Sequence, residues 1–148
     1  MGGTVLRIDP LEVMVQLKDQ VHARFPQVSF ELQGADEATA VGWFDSGRSG
    51  EVRVMVTIAD NGDSTIGSGE GLMMELDAPC RSEREVLSRV LRELIRLGEE
   101  GVELVRLVPA LGPLSPSWVG PPGSDEIAAA KRRRFAKVVR RADAWHSS

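Results

Sequence analysis

The sequence predicts an α+β fold: an antiparallel sheet of four to five strands flanked by two helices, then a Pro/Gly-rich strap and a C-terminal amphipathic basic helix. Three observations predict it. Apolar residues recur at three- and four-residue steps in two capped segments, and they alternate at every second position in the shorter segments between. A run of prolines and glycines then precedes a last segment dense in arginine. On these boundaries residues 1–108 form a globular α+β domain, 109–123 a linker or strap, and 124–148 the basic helix.

The first helix is predicted to start at Asp9, an N-cap followed by Pro10 in the first helical position and Glu12 at capping-box spacing. Leu11, Met14, Leu17, Val21 and Phe25 then form one apolar stripe, and Pro26 stops the helix. The period changes to two in "VSFEL", a second strand reads at "ATAVGWF", and "EVRVMVTI" puts Val52, Val54, Val56 and Ile58 on one face. Asn61-Gly62 follows, the residue pair that a two-residue type I′ hairpin turn favours because both positions need positive φ. A fourth strand is predicted from about Thr65 to Leu76, with "GSGEG" interrupting it as a bulge or loop.

The second helix has Ser82 as N-cap and Glu85 three positions on. Leu87, Val90, Leu91, Leu94 and Ile95 form its apolar face, and Gly98 is the predicted C-cap. "GVELVRLV" reads as a last strand. Residues 109–124 hold five prolines and three glycines, a composition that predicts an extended strap without regular structure. The final helix is predicted from about Ser124 to Trp145, with Phe135, Val138, Ala142 and Trp145 as a narrow apolar seam. Deleting residues 124–148 would then leave a folded domain.

With 148 residues and 42% apolar content, the chain can bury about two thirds of its unfolded surface as one domain. Its single cysteine excludes a disulfide-stapled scaffold. The apolar runs are too short to span a bilayer and the N-terminus lacks the regions of a signal peptide, so the sequence predicts a cytoplasmic protein with no membrane insertion. The net charge of -4 is unevenly distributed. Seven Lys/Arg against three acids lie in residues 124–148, which leaves an acidic body and a basic arm.

The acidic, glycine-rich loop "IADNGDSTIGSGEG" is read as a turn. A phosphate cradle needs a following helix N-terminus and usually a lysine, and the acids do not fit the twelve-residue calcium pattern. Cys80 stands before a helix start with Arg81 and Arg84 nearby, which lowers a thiol pKa, but a nucleophile also needs a base. His22 and His146 are the only histidines, and neither has a partner at metal-ligand spacing. The sequence therefore calls for no catalytic set, no metal and no cofactor.

The segment "KRRRFAKVVRR" has a defined physical consequence, because arginine-rich surfaces favour phosphates or carboxylates and grip them with two bonds at once. The candidate partner-binding residues are Arg132, Arg133, Arg134, Phe135, Lys137, Val138, Arg141 and Trp145, with Trp118 in the strap. The opposite reading is a helix docked on its own acidic body with its arginines in solvent.

The order of helix, antiparallel strands, helix, strand and helix is similar to the secretion-chaperone-like and immunity-protein folds of bacteria. That resemblance implies a non-enzymatic module that binds one protein partner. Three functions follow in order: a protein-binding or adaptor module, including self-association as a homo-oligomer; a nucleic-acid binder using the arginine-rich helix; and an enzyme with a Cys80-centred site.

Overall fold

The computed structural model describes residues 6–68, 73–108 and 117–145. Its element order is α1 (Pro10–Arg24), β1 (Ser29–Ala35), β2 (Thr39–Asp45), β3 (Val54–Ala59), β4 (Ser64–Ser68), β5 (Met73–Leu76), α2 (Glu83–Glu100), β6 (Val102–Leu107), β7 (Ser117–Gly120), α3 (Asp125–Lys131) and β8 (Ala136–Ala142). Strands β1 to β5 form an antiparallel meander in chain order, and a second antiparallel sheet has the order β7-β6-β8. The α+β class and the five-stranded sheet flanked by two helices agree with the sequence.

Helix α1 starts as predicted, with the Asp9 carboxylate accepting from the Leu11 N–H at 3.1 Å and the Glu12 N–H at 3.4 Å. Its buried stripe is Val13, Met14, Leu17 and Val21, while Leu11 is 40% exposed. Val13 takes the place expected for Leu11 because the sheet and α2 meet α1 slightly further round its axis. Val52, Val54, Val56 and Ile58 are all buried, and the inner face of the meander joins α1 and α2 in the main core.

The β3–β4 hairpin is present, but its turn is not type I′. Gly62 has φ +94, whereas Asn61 keeps a negative φ. The Gly62 N–H donates to the Ala59 carbonyl at 3.0 Å and the Ala59 N–H to the Asp63 carbonyl at 2.8 Å. This is a three-residue loop ending in a left-handed glycine bulge. Asn61 contributes through its side chain, whose Oδ1 accepts the Asp63 N–H at 3.0 Å. The interrupted fourth strand is two strands, β4 and β5, paired antiparallel from Ser64↔Leu76 to Gly67↔Met73. Most of "GSGEG" lies outside the described residues.

Helix α2 runs past Gly98 to Glu100, and its C-cap is Gly101 at φ +71. Gly98 serves packing instead. A Cβ there would overlap Cε3 and Cζ3 of Trp145, so only glycine lets that indole lie on the helix.

The predicted C-terminal helix is the main correction. Ser124 caps a helix, its Oγ accepting the Ile127 N–H at 3.3 Å, but α3 ends at Lys131 and the chain returns as strand β8. The Val138-Val139 pair favours strand, and the side of β6 away from β7 supplies main-chain partners that a helix would leave unpaired. Ala136 and Val138 pack with Trp118 against the small second cluster of Val105, Ile127 and Ala130. The far end of the expected strap is likewise strand, Ser117–Gly120 pairing with β6; residues 109–116 lie outside the described residues.

Trp145 is core, 4% exposed, with its Nε1–H donating to the Val52 carbonyl at 2.7 Å and its ring edge-on to Phe25 at 5.1 Å. The chain end also pairs with the β2–β3 loop. The Asp143 N–H donates to the Gly50 carbonyl at 2.7 Å, and the Val52 N–H to the Asp143 carbonyl at 2.9 Å. The segment read as a detachable arm is thus fastened to the body, and its deletion would uncover core.

Candidate docking surface

The sequence-predicted cations divide into two groups, according to whether an acid holds them. Glu103, in the central strand β6, is 3% exposed. The Lys131 ammonium donates to its Oε1 at 2.9 Å, and Arg141 Nη2 lies 3.5 Å from its Oε2, an ion-pair contact outside hydrogen-bond geometry. A buried carboxylate requires such partners, since an unpaired charge in the interior is strongly unfavourable. Lys131 and Arg141 are therefore structural cations that neutralise Glu103 and join α3 and β8 to β6.

The second group surrounds the end of the small sheet where β6 finishes and β8 begins. Arg132, Arg133 and Arg134 occupy the turn between α3 and β8, Lys137 follows, and Arg106 lies directly across the ladder from Lys137. All five are exposed, and among the described residues none is in an ion pair. Two of them stack on aromatic rings: Arg133 over Trp118 at 4.8 Å and Arg134 over Phe135 at 4.9 Å.

Phe135 is 63% exposed and has φ +68, the one positive φ outside glycine among the described residues. A bulky residue in the left-handed region is strained by about 1–3 kcal/mol and persists only where its surroundings impose it. The imposing bonds are visible: the Phe135 carbonyl accepts the Val108 N–H at 2.8 Å, and the Ala136 N–H donates to the Arg133 carbonyl at 3.1 Å.

Of the predicted site residues, the structure brings Arg132, Arg133, Arg134, Phe135, Lys137 and Trp118 to one end of the small sheet. It withdraws three others. Trp145 lies in the main core, Val138 is half-buried in the second cluster, and Arg141 is engaged by Glu103. Arg106 and Val139 were not read from sequence as site residues. Arg106 becomes part of the surface only through its cross-strand register with Lys137, which no local pattern encodes.

Cys80 is half-buried at the edge of a cleft of about 590 Å³ lined with Ser82, Arg84, Ser88, Arg89 and Arg92, and among the described residues no histidine lines it. Arg89 is a brace. Its guanidinium donates to the carbonyls of Ala78, of Leu76 at 2.7 Å and of Gly62 at 2.9 Å, tying α2 to the sheet. Asp60, in the acidic loop, pairs with Arg7 at 3.1 Å. Among the described residues no group of three or more His, Cys, Asp or Glu is placed to hold a metal ion, and no helix is long and apolar enough to cross a membrane.

No family model, curated protein or solved structure matches this chain.

Proposed function

We propose that the protein is a non-enzymatic binding or adaptor module whose α3–β8 end docks an acidic partner protein. The observation that supports this is the gathering of five exposed cations, Arg106, Arg132, Arg133, Arg134 and Lys137, that have no acid partner among the described residues, around an exposed aromatic ring in strained backbone. Arginines with no acid partner among the described residues favour an anion that accepts two parallel N–H bonds, a carboxylate or a phosphate. A protein partner is favoured because the cations border exposed Val139 on an edge strand and the net charge of the chain is -4, which disfavours a long polyphosphate.

A single-stranded nucleic acid is the second reading, and exposed Phe135 beside stacked arginines is the observation that favours it, since such a ring stacks bases. The experiment titrates labelled polyglutamate and a deoxythymidine oligonucleotide with wild type and with the Arg132→Glu/Lys137→Glu double variant. The two side chains touch no acid among the described residues, so the variant keeps its fold by circular dichroism. Polyglutamate binding that falls with salt and disappears in the variant supports the protein reading. Tighter binding of the oligonucleotide replaces it with the nucleic-acid reading, and binding unchanged by the variant removes this end of the sheet from the function.

A further inference from the structure

The outermost strand at the proposed surface is also an unfinished sheet edge. Among the described residues strand β8 pairs as a ladder with β6 on one side only, from Val102↔Ala142 to Leu107↔Ala136. On the other side, alternate N–H and C=O groups project outward, as on any edge strand. The far end of that edge is already used. Asp143, one residue beyond β8, exchanges main-chain hydrogen bonds with Gly50 and Val52 in a parallel bridge, so this side is geometrically able to accept a strand. The Gly50–Val52 segment covers only that end. Along Val138 to Arg141 the strand lines a shallow depression of about 300 Å³.

The side chains describe what would fill it. The ladder shifts register between Leu104 and Val105, so that Val139 is the extra residue of a bulge, 43% exposed. Lys137 lies on one side of it and the arginine turn 132–134 beyond. Two copies of this edge would bring like charges together, which disfavours pairing between copies of the chain and leaves an acidic segment as the complementary occupant.

We infer that an extended acidic segment of the partner protein adds to β8 as a fourth strand of the small sheet, collinear with Gly50–Val52. Its main chain pairs with the outer edge of Ala136–Val139, an apolar residue contacts Val139, and its carboxylates face Lys137 and the arginines of the turn. This rests on the proposed function and deepens it, since the earlier reading requires only charge complementarity and this one requires main-chain pairing.

The test uses a fluorescein-labelled octapeptide of alternating glutamate and valine, and the same peptide N-methylated at every second residue along one edge. N-methylation removes donors and blocks one edge without changing charge. Anisotropy titrations of the full chain are run at about 50 and about 300 mM salt, a range over which screening of exposed charges grows strongly. Hydrogen exchange at β8 is measured with and without peptide. The expected result is salt-sensitive binding, a loss of about tenfold or more on N-methylation of one edge, and slowed exchange of β8 amides in the complex. Equal binding of both peptides with unchanged β8 exchange overturns strand addition while leaving the charged surface as the docking site. Absence of binding at low salt, for the peptide and for polyglutamate alike, overturns both.

Discussion

Gly98→Ala should change the sign of its effect on stability according to whether Trp145 is present. In wild type, the new Cβ would overlap Cε3 and Cζ3 of Trp145 and stand 3.0 Å from Cε2 of Phe25. Overpacking of this kind costs about 1–3 kcal/mol, because the indole is fixed by its bond to the Val52 carbonyl and by Phe25. Against it stands the helix-propensity advantage of alanine over glycine, about 1 kcal/mol in a helix interior. The net effect in wild type is neutral to destabilising, by up to about 2 kcal/mol.

Trp145→Ala on its own should cost about 3–5 kcal/mol as a buried aromatic truncation, leaving the domain folded in water if its stability is in the ordinary range of about 5–15 kcal/mol. In that background the overlap is gone and the remaining Phe25 contact can relax. Gly98→Ala should then stabilise by about 1 kcal/mol. Urea unfolding of all four proteins gives the coupling energy, expected at about 1–3 kcal/mol. Should Trp145→Ala be too unstable to fit, Trp145→Leu removes the same ring atoms with less loss of burial. An equal cost of Gly98→Ala in both backgrounds would refute the reasoning: the C-terminal residues would then not be docked on α2, and the detachable-arm reading would return.

Gly62→Val should destabilise the domain by about 1–3 kcal/mol in urea, since Gly62 has φ +94 and a Cβ there stands 3.0 Å from Leu6 Cδ2 and 3.2 Å from Val86 Cγ2. A variant as stable as wild type would rule out the bulged turn. Phe135→Gly should be more stable than Phe135→Ala by about 1 kcal/mol, because only glycine relieves a φ of +68, and both should bind polyglutamate or the peptide more weakly. Cys80→Ser should leave peptide and polyglutamate binding unchanged, since Cys80 lines a cleft at the start of α2 and no part of the α3–β8 end; loss of binding would bring that cleft into the function.

Local signals were legible wherever one segment carried its own instructions. Asp9 and Ser82 mark helix starts by an oxygen that caps a neighbouring N–H, and the alternation through Val52, Val54, Val56 and Ile58 marks a half-buried strand. The misreadings occur where a distant residue decides. Gly98 has the sequence context of a C-cap, yet it is glycine because an indole forty-seven positions away rests on it. Residues 135–142 fit a helical seam as well as a strand, and the unfilled side of β6 decides between them. Asn61-Gly62 predicted the hairpin correctly and its turn type incorrectly, because the loop closes one residue longer and needs only one positive φ.

The same distance effect separates the cations that hold the fold from those left for a partner. By sequence, Lys131, Arg132, Arg133, Arg134, Lys137 and Arg141 form a single run, and nothing in it ranks one above another. Glu103 ranks them. It occupies the β6 position flanked by Gly120 on β7 and Arg141 on β8, and among the described residues the cations that reach it come from the end of α3 and from that rung of β8. Lys131 and Arg141 do, and their charge is spent on a buried carboxylate. Arg132, Arg133, Arg134 and Lys137 come from the turn and the opposite end of the strand; among the described residues none of them pairs with an acid, and Lys137 lies across the ladder from Arg106. Their mutual repulsion is unfavourable in the isolated chain, as is the left-handed backbone of Phe135 among them. Both unfavourable features lie at one end of one small sheet, beside a strand with an open edge, and an acidic strand seated there would neutralise the first and bury the ring that the second holds outward.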